Sequence, residues 1–173
     1  MSQFVILTDS GSDLPQALVE ELDIAVLPLR FTVQGKERSD WPDHREMDPH
    51  AFYDLLRKGE QATTSALNAH DYIEVMTPYL DAGQDVLALV FSSGLSTTYQ
   101  SSVMAVEELR EQYPDRKIYT VDTLAASLGQ GLLVWHAAQL RAQGKSIEEV
   151  RNWVEENKLH LCHWFTVDDL NHL

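Results

Sequence analysis

The segment Val86–Ser102, VLALVFSSGLSTTYQSS, joins an unbroken apolar run to a helical pattern through a burst of hydroxyls around one glycine. A short apolar run with no polar alternation marks a strand covered on both faces, and such strands belong to parallel sheets with helical crossovers. Downstream, Val103, Val106 and Leu109 recur at helical spacing within Thr98–Tyr113, the strongest helical pattern in the chain.

Working outward, the same alternation repeats. Phe4–Leu7 reads as a buried strand, then comes TDSGSD, and Asp13-Leu14-Pro15 opens a helix whose stripe is Leu18, Val19 and Leu22. Ile24–Val33 reads as one strand weakened by Pro28, at an edge or a bend. Gln34–Met47 is charged and irregular, a surface excursion, and Asp48-Pro49 then caps a helix carrying Phe52, Leu55 and Leu56. QATTSALNAHDY, Gln61–Tyr72, reads as a small-residue loop before a helix with Ile73, Met76 and Leu80 that Gly83 ends. KIYTVDT is a further strand, LAASLGQGLLVWHAAQLRAQG a nearly all-apolar helix, and Ser146 with Glu149 a capping box opening the last helix. LHLCHWFTVDDLNHL, Leu159–Leu173, is expected to return as a strand. The fold expected is α/β, a mostly parallel Rossmann-like sheet with helices on both faces. In such sheets ligands sit beyond the carboxyl ends of the strands, where TDSGSD, SSGLSTT and VDTLAAS should converge.

Composition narrows the function. The chain has 173 residues, 13 Lys plus Arg against 27 Asp plus Glu, and a net charge of −14. That balance disfavours nucleic acid and anionic membrane surfaces, both of which attract basic patches. No apolar run is long enough for stable membrane insertion and no signal-peptide pattern opens the chain. Cys162 is the single cysteine, so a cytoplasmic setting is expected.

The hydroxyl loops admit several chemistries. A nucleophile elbow needs G-x-S-x-G, but Val90 stands two residues before Ser92, and His136 lies within an apolar helix where it packs. Neither a dinucleotide fingerprint nor a P-loop is present. His160 and Cys162 could share a strand face as zinc ligands, but no second pair accompanies them; His44 and His50 read as solvated surface. An anion cradle remains: Ser93 and Gly94 would offer backbone N–H groups at a helix start, and Ser92, Ser93, Ser96, Thr97 and Thr98 supply five hydroxyls. Simple helix capping stands beside it as the alternative.

Four ordered segments, TDSGSDLP, ATTSALN, SSGLSTTYQSS and VDTLAASLGQGLLV, resemble the signatures of the DegV family of bacterial fatty acid-binding proteins. The resemblance implies a non-catalytic lipid-binding protein and no cofactor. Its ligand would be a long-chain, palmitate-like or oleate-like fatty acid. Some members are the binding subunit of fatty acid kinase, presenting the acyl carboxylate to a separate dihydroxyacetone kinase-like catalytic subunit. By resemblance Ser93 and a threonine of TTS, Thr64 in preference to Thr63, hold the carboxylate, with Ser92, Gly94 and Ser96 completing the loop. The chain departs from the pattern at Thr97, usually glycine, and at Ala66-Leu67, usually a polar residue and proline. The family continues into a second, mainly antiparallel lobe that supplies a basic residue or histidine. Residues 1–158 are therefore expected to be the N-terminal lobe and 159–173 the start of a junction to a lobe this chain lacks. The physics suits such a ligand, since each buried methylene contributes about 0.8 kcal/mol and hydrogen bonds can replace the waters of the carboxylate. The competing class is a small-molecule enzyme acting on a phosphorylated or sugar ligand at the same loops, with Asp9 or Asp122 as acid–base.

Overall fold

The computed structural model of the chain describes residues 4–164 and 166. Its centre is a four-stranded parallel sheet made of β1 (Phe4–Asp9), β2 (Ile24–Leu27), β6 (Asp85–Val90) and β7 (Ile118–Asp122). The strand order is β2-β1-β6-β7, with Ile6 opposite Ile24 on one side and opposite Leu87 on the other. Five of the six residues of β6 are buried, as its unbroken apolar sequence requires. Its side chains alternate between two cores. Leu87 and Leu89 join Leu133, Val134 and Ala137 of α5 (Ser127–Ala142) and Val150 and Val154 of α6 (Ile147–Asn157). Val86, Ala88 and Val90 join Tyr72, Met76 and Leu80 of α3 (Ala69–Asp81) and Val106 and Leu109 of α4 (Thr98–Gln112). Helices thus cover both faces, and each buried valine or leucine stabilises the fold by about 1.5–3 kcal/mol as an upper estimate.

From β1 the chain crosses through α1 (Gln16–Glu21) to β2 on one side, and the later strands build on the other side. The order therefore reverses between β1 and β6, and a crevice opens at their carboxyl ends. Asp9 and Phe91 stand there.

A second sheet departs from expectation. Ile24–Val33 is not one strand: Pro28, which cannot donate to a ladder, separates β2 from β3 (Arg30–Val33), and the chain changes sheets there. The excursion after it contains β4 (Lys36–Ser39), joined to β3 by a two-residue turn with positive φ at both Gln34 (52°) and Gly35 (67°). That geometry fits the right-handed strand twist. After α2 (Pro49–Arg57), the expected loop at ATTS is β5 (Ala62–Ser65), antiparallel to β3 with Thr64 opposite Phe31. Leu67 is fully buried in the core on the α3–α4 face of the sheet.

The expected C-terminal strand is absent where it can be seen. Lys158–His160 form a turn and Leu161–Trp164 have no regular structure; the rest, apart from Thr166, lies outside the described residues. Trp164 is 93% exposed. His136 packs as expected, its ring 5.0 Å from that of Trp135 and 5.3 Å from that of Trp153.

Candidate functional site

The three hydroxyl-rich loops do converge, through backbone N–H groups of the loop after β6. Phe91 N donates to the Asp9 carboxylate at 2.8 Å, Ser92 N to the Ala125 carbonyl at 3.1 Å, and Ser93 N to the Asp122 carboxylate at 3.1 Å. Three consecutive amides are thus taken by the ends of β1 and β7 and by the loop between β7 and α5. Ser127 Oγ donates to Asp13, tying that loop back to TDSGSD.

This arrangement corrects the expected anion cradle. The amide of Ser93 is committed to Asp122, and that of Gly94 to Ser92 Oγ at 3.2 Å. Leu95 N and Ser96 N both reach the Ser92 carbonyl. Ser96 Oγ accepts from Thr98 N and bonds Thr98 Oγ1 at 2.8 Å, so it serves the start of α4. Ser92 is buried and Ser96 half-buried, and both are turn-builders. Ser93 is exposed, and its hydroxyl has no partner among the described residues.

Across from it stands β5. Thr64 is exposed and lines one cleft of about 630 Å³ with Ser93, Gly94, Ser96 and Tyr99. Strand alternation turns Thr63 to the opposite face, and it does not line the cleft. Thr64 also borders an apolar cavity of about 300 Å³ walled by Leu29, Phe31, Trp41, Met47, Phe52 and Tyr53. Phe31 and Phe52 meet edge to face with ring centres 5.4 Å apart. Sequence reasoning missed this cavity, because its walls come from separate segments, Leu29 and β3, Trp41 to Met47, and α2, that only tertiary packing brings together. Arg30 at its rim is held by the nearly buried Asp71, which also accepts from Asn68 N in the capping box of α3.

Neither carboxylate weighed as an acid–base faces the cleft freely. Asp9 is wholly buried, accepts from Phe91, Gly11 and Gln130, and has its pKa pushed up to about 6 because burial outweighs those bonds. Asp122 accepts from Ser93 N and Leu124 N. Among the described residues no group of three His, Cys, Asp or Glu side chains could hold a metal, and no helix is long and apolar enough to cross a membrane.

Comparison with known proteins places the chain among its relatives. The family model described as uncharacterised proteins of the DegV family matches residues 3–173. A DegV domain-containing protein of Clostridium perfringens is 51% identical over the whole chain, which covers 59% of that relative. Among solved structures, a DegV family protein from Thermus thermophilus described by its fatty acid binding is 35% identical with a TM-score of 0.79, covering 91% of this chain and 54% of its own. A DegV lipid-binding protein from Thermotoga maritima is 32% identical with a TM-score of 0.79, covering 91% and 55%. The chain thus spans a little over half the length of the proteins it matches.

Proposed function

The chain belongs to the DegV family, and from that premise we propose that it is the carboxylate-holding lobe of a long-chain fatty acid-binding protein. Ser93 and Thr64 would grip the carboxylate, and the acyl chain would run past Thr64 toward the cavity of Phe31, Trp41 and Phe52. The observation that carries this is the pairing of the two hydroxyls: Ser93 from the loop after β6 and Thr64 from β5 line one cleft, and Thr64 also borders the apolar cavity. Exposed hydroxyls can replace carboxylate waters, and each methylene entering the cavity contributes about 0.8 kcal/mol. The likeness to the fatty acid- and lipid-binding relatives at 35% and 32% identity supports the same reading.

Asp122 beside Ser93 adds negative charge to the cleft, so the carboxylate needs a cation from elsewhere. A second lobe beyond this chain would supply it, with residues 159–173 as the junction. The bound acid, its head at an open cleft, would be presented in the cytoplasm to a separate dihydroxyacetone kinase-like subunit that phosphorylates it. The binding protein itself would not catalyse the reaction.

Native mass spectrometry of the full-length protein, purified without detergent and supplied with oleate, tests this. A complex heavier by one fatty acid is expected. Free protein alone, or retention of a phosphorylated or sugar compound instead, would overturn the proposal.

A further inference from the structure

Behind the cleft lies a buried polar knot that the proposed ligand never touches. Asp9 ends β1 at the point where strand order reverses, and it is 0% exposed. One carboxylate oxygen takes Phe91 N at 2.8 Å; the other takes Gly11 N and Gln130 Nε2, each at 3.1 Å. The carboxylate therefore links β1, the loop after β6 and helix α5. A buried carboxylate is costly to keep, and a hydrogen-bonded acceptor here could have been a neutral group. The site around it is also closely fitted. A Cβ on Gly11 would stand 2.9 Å from both Asp9 Oδ1 and the Phe91 ring, so no side chain fits between them. Phe91 is two residues from Ser93, and Ser92 and Ser93 are held in turn by Ala125 and Asp122.

We propose that Asp9 is a positioning residue for ligand binding: its carboxylate latches Phe91 and so aims Ser93 across the cleft at Thr64. The role in binding rests on the fatty acid reading given above; the latch itself does not. Asp122 and Ala125 fix the far end of the same three-residue segment, and Asp9 fixes its root. With the root released, the segment pivots about Ser92, and the Ser93 hydroxyl spreads over positions that do not reach a carboxylate shared with Thr64.

The test uses the full-length protein with a soluble ligand, octanoate, followed by amide nuclear magnetic resonance, and with octanol as the uncharged counterpart. Hydrogen exchange is read at Phe91, with Leu87 and Leu89 in β6 as references. A hydrogen bond to a carboxylate is worth about a ten- to hundredfold effect. Asp9→Ala should therefore speed exchange at Phe91 at least tenfold more than at the references and weaken octanoate by about tenfold, leaving octanol unchanged. Asp9→Asn keeps one acceptor oxygen, so it should fold and fall between the two. Equal acceleration at Phe91, Leu87 and Leu89 would show a general structural role and overturn the proposal, as would unchanged octanoate binding once Phe91 is released. If the unmodified protein gives no octanoate response, the fatty acid reading fails and the exchange pattern alone decides the latch.

Discussion

Glycine to alanine at position 131 should destabilise the protein, against helix propensity. Gly131 lies in the first half of α5, where alanine is favoured over glycine by about 1 kcal/mol. A Cβ there would stand 2.5 Å from the Ser12 carbonyl oxygen and 3.2 Å from Leu14 Cδ2. The first distance is about 1 Å short of van der Waals contact, and the obstacle is backbone. The 3-10 turn Ser10–Ser12 must move, and overpacking of this kind costs about 1–3 kcal/mol. Because the obstacle is backbone, the clash outweighs the propensity gain, leaving a net loss of up to about 2 kcal/mol and a Tm lower by up to about 8 °C for a domain of this size. Gly129, two residues earlier, is the internal control. Its Cβ would stand 2.7 Å from Nδ1, 2.8 Å from Cγ and 3.2 Å from Cβ of His163, an exposed side chain and not backbone. Gly129→Ala should therefore lower Tm less than the change at Gly131. Calorimetry on both variants reads the difference; equal stabilisation by both would refute the claim that the TDSGSD turn rests directly on α5.

Burial of Asp9 carries a pH signature. Its pKa of about 6 in the fold exceeds the unfolded value of 3.8, so the folded state takes the proton first and stability from this group rises as pH falls from about 7 to about 4. The full effect is about 3 kcal/mol, and urea melts of the protein and Asp9→Asn should diverge by that order across the window; parallel pH profiles would contradict it. Arg30→Met removes the partner of Asp71, which is 6% exposed. Arg30 itself is partly solvated, so a loss of about 1–3 kcal/mol is expected in urea melts, and a loss under about 0.5 would show that the Asn68 cap suffices.

The central sheet was legible because its signal is local. Val86–Val90 must be covered on both faces, and the capping box at Ser146 and Glu149 marks a helix start in four residues. The second sheet was not legible, since β3, β4 and β5 have four residues each and are specified by pairing with one another. The Gln34-Gly35 turn lacks the Asn-Gly signal that would have flagged the hairpin. For the same reason the sequence suggests a loop at Thr64, where the fold has β5. The commitment of the Ser93 amide could not be read from the loop itself. Its acceptor, Asp122, lies 29 residues away, and that of Phe91, Asp9, lies 82 away. Hydroxyls and helix starts suggest an anion cradle; which N–H groups remain free is decided by tertiary contacts.

The affinity of the full-length protein for a long-chain fatty acid, before and after Ser93→Ala, bears most directly on the proposed site. Removing one hydrogen bond to a carboxylate costs about 1.5–3 kcal/mol, so calorimetry should show a ten- to hundredfold weaker acid, while the fatty alcohol of equal length changes little. Unchanged affinity for the acid in a folded Ser93→Ala protein would contradict the account and leave Ser93 a solvent-exposed turn residue.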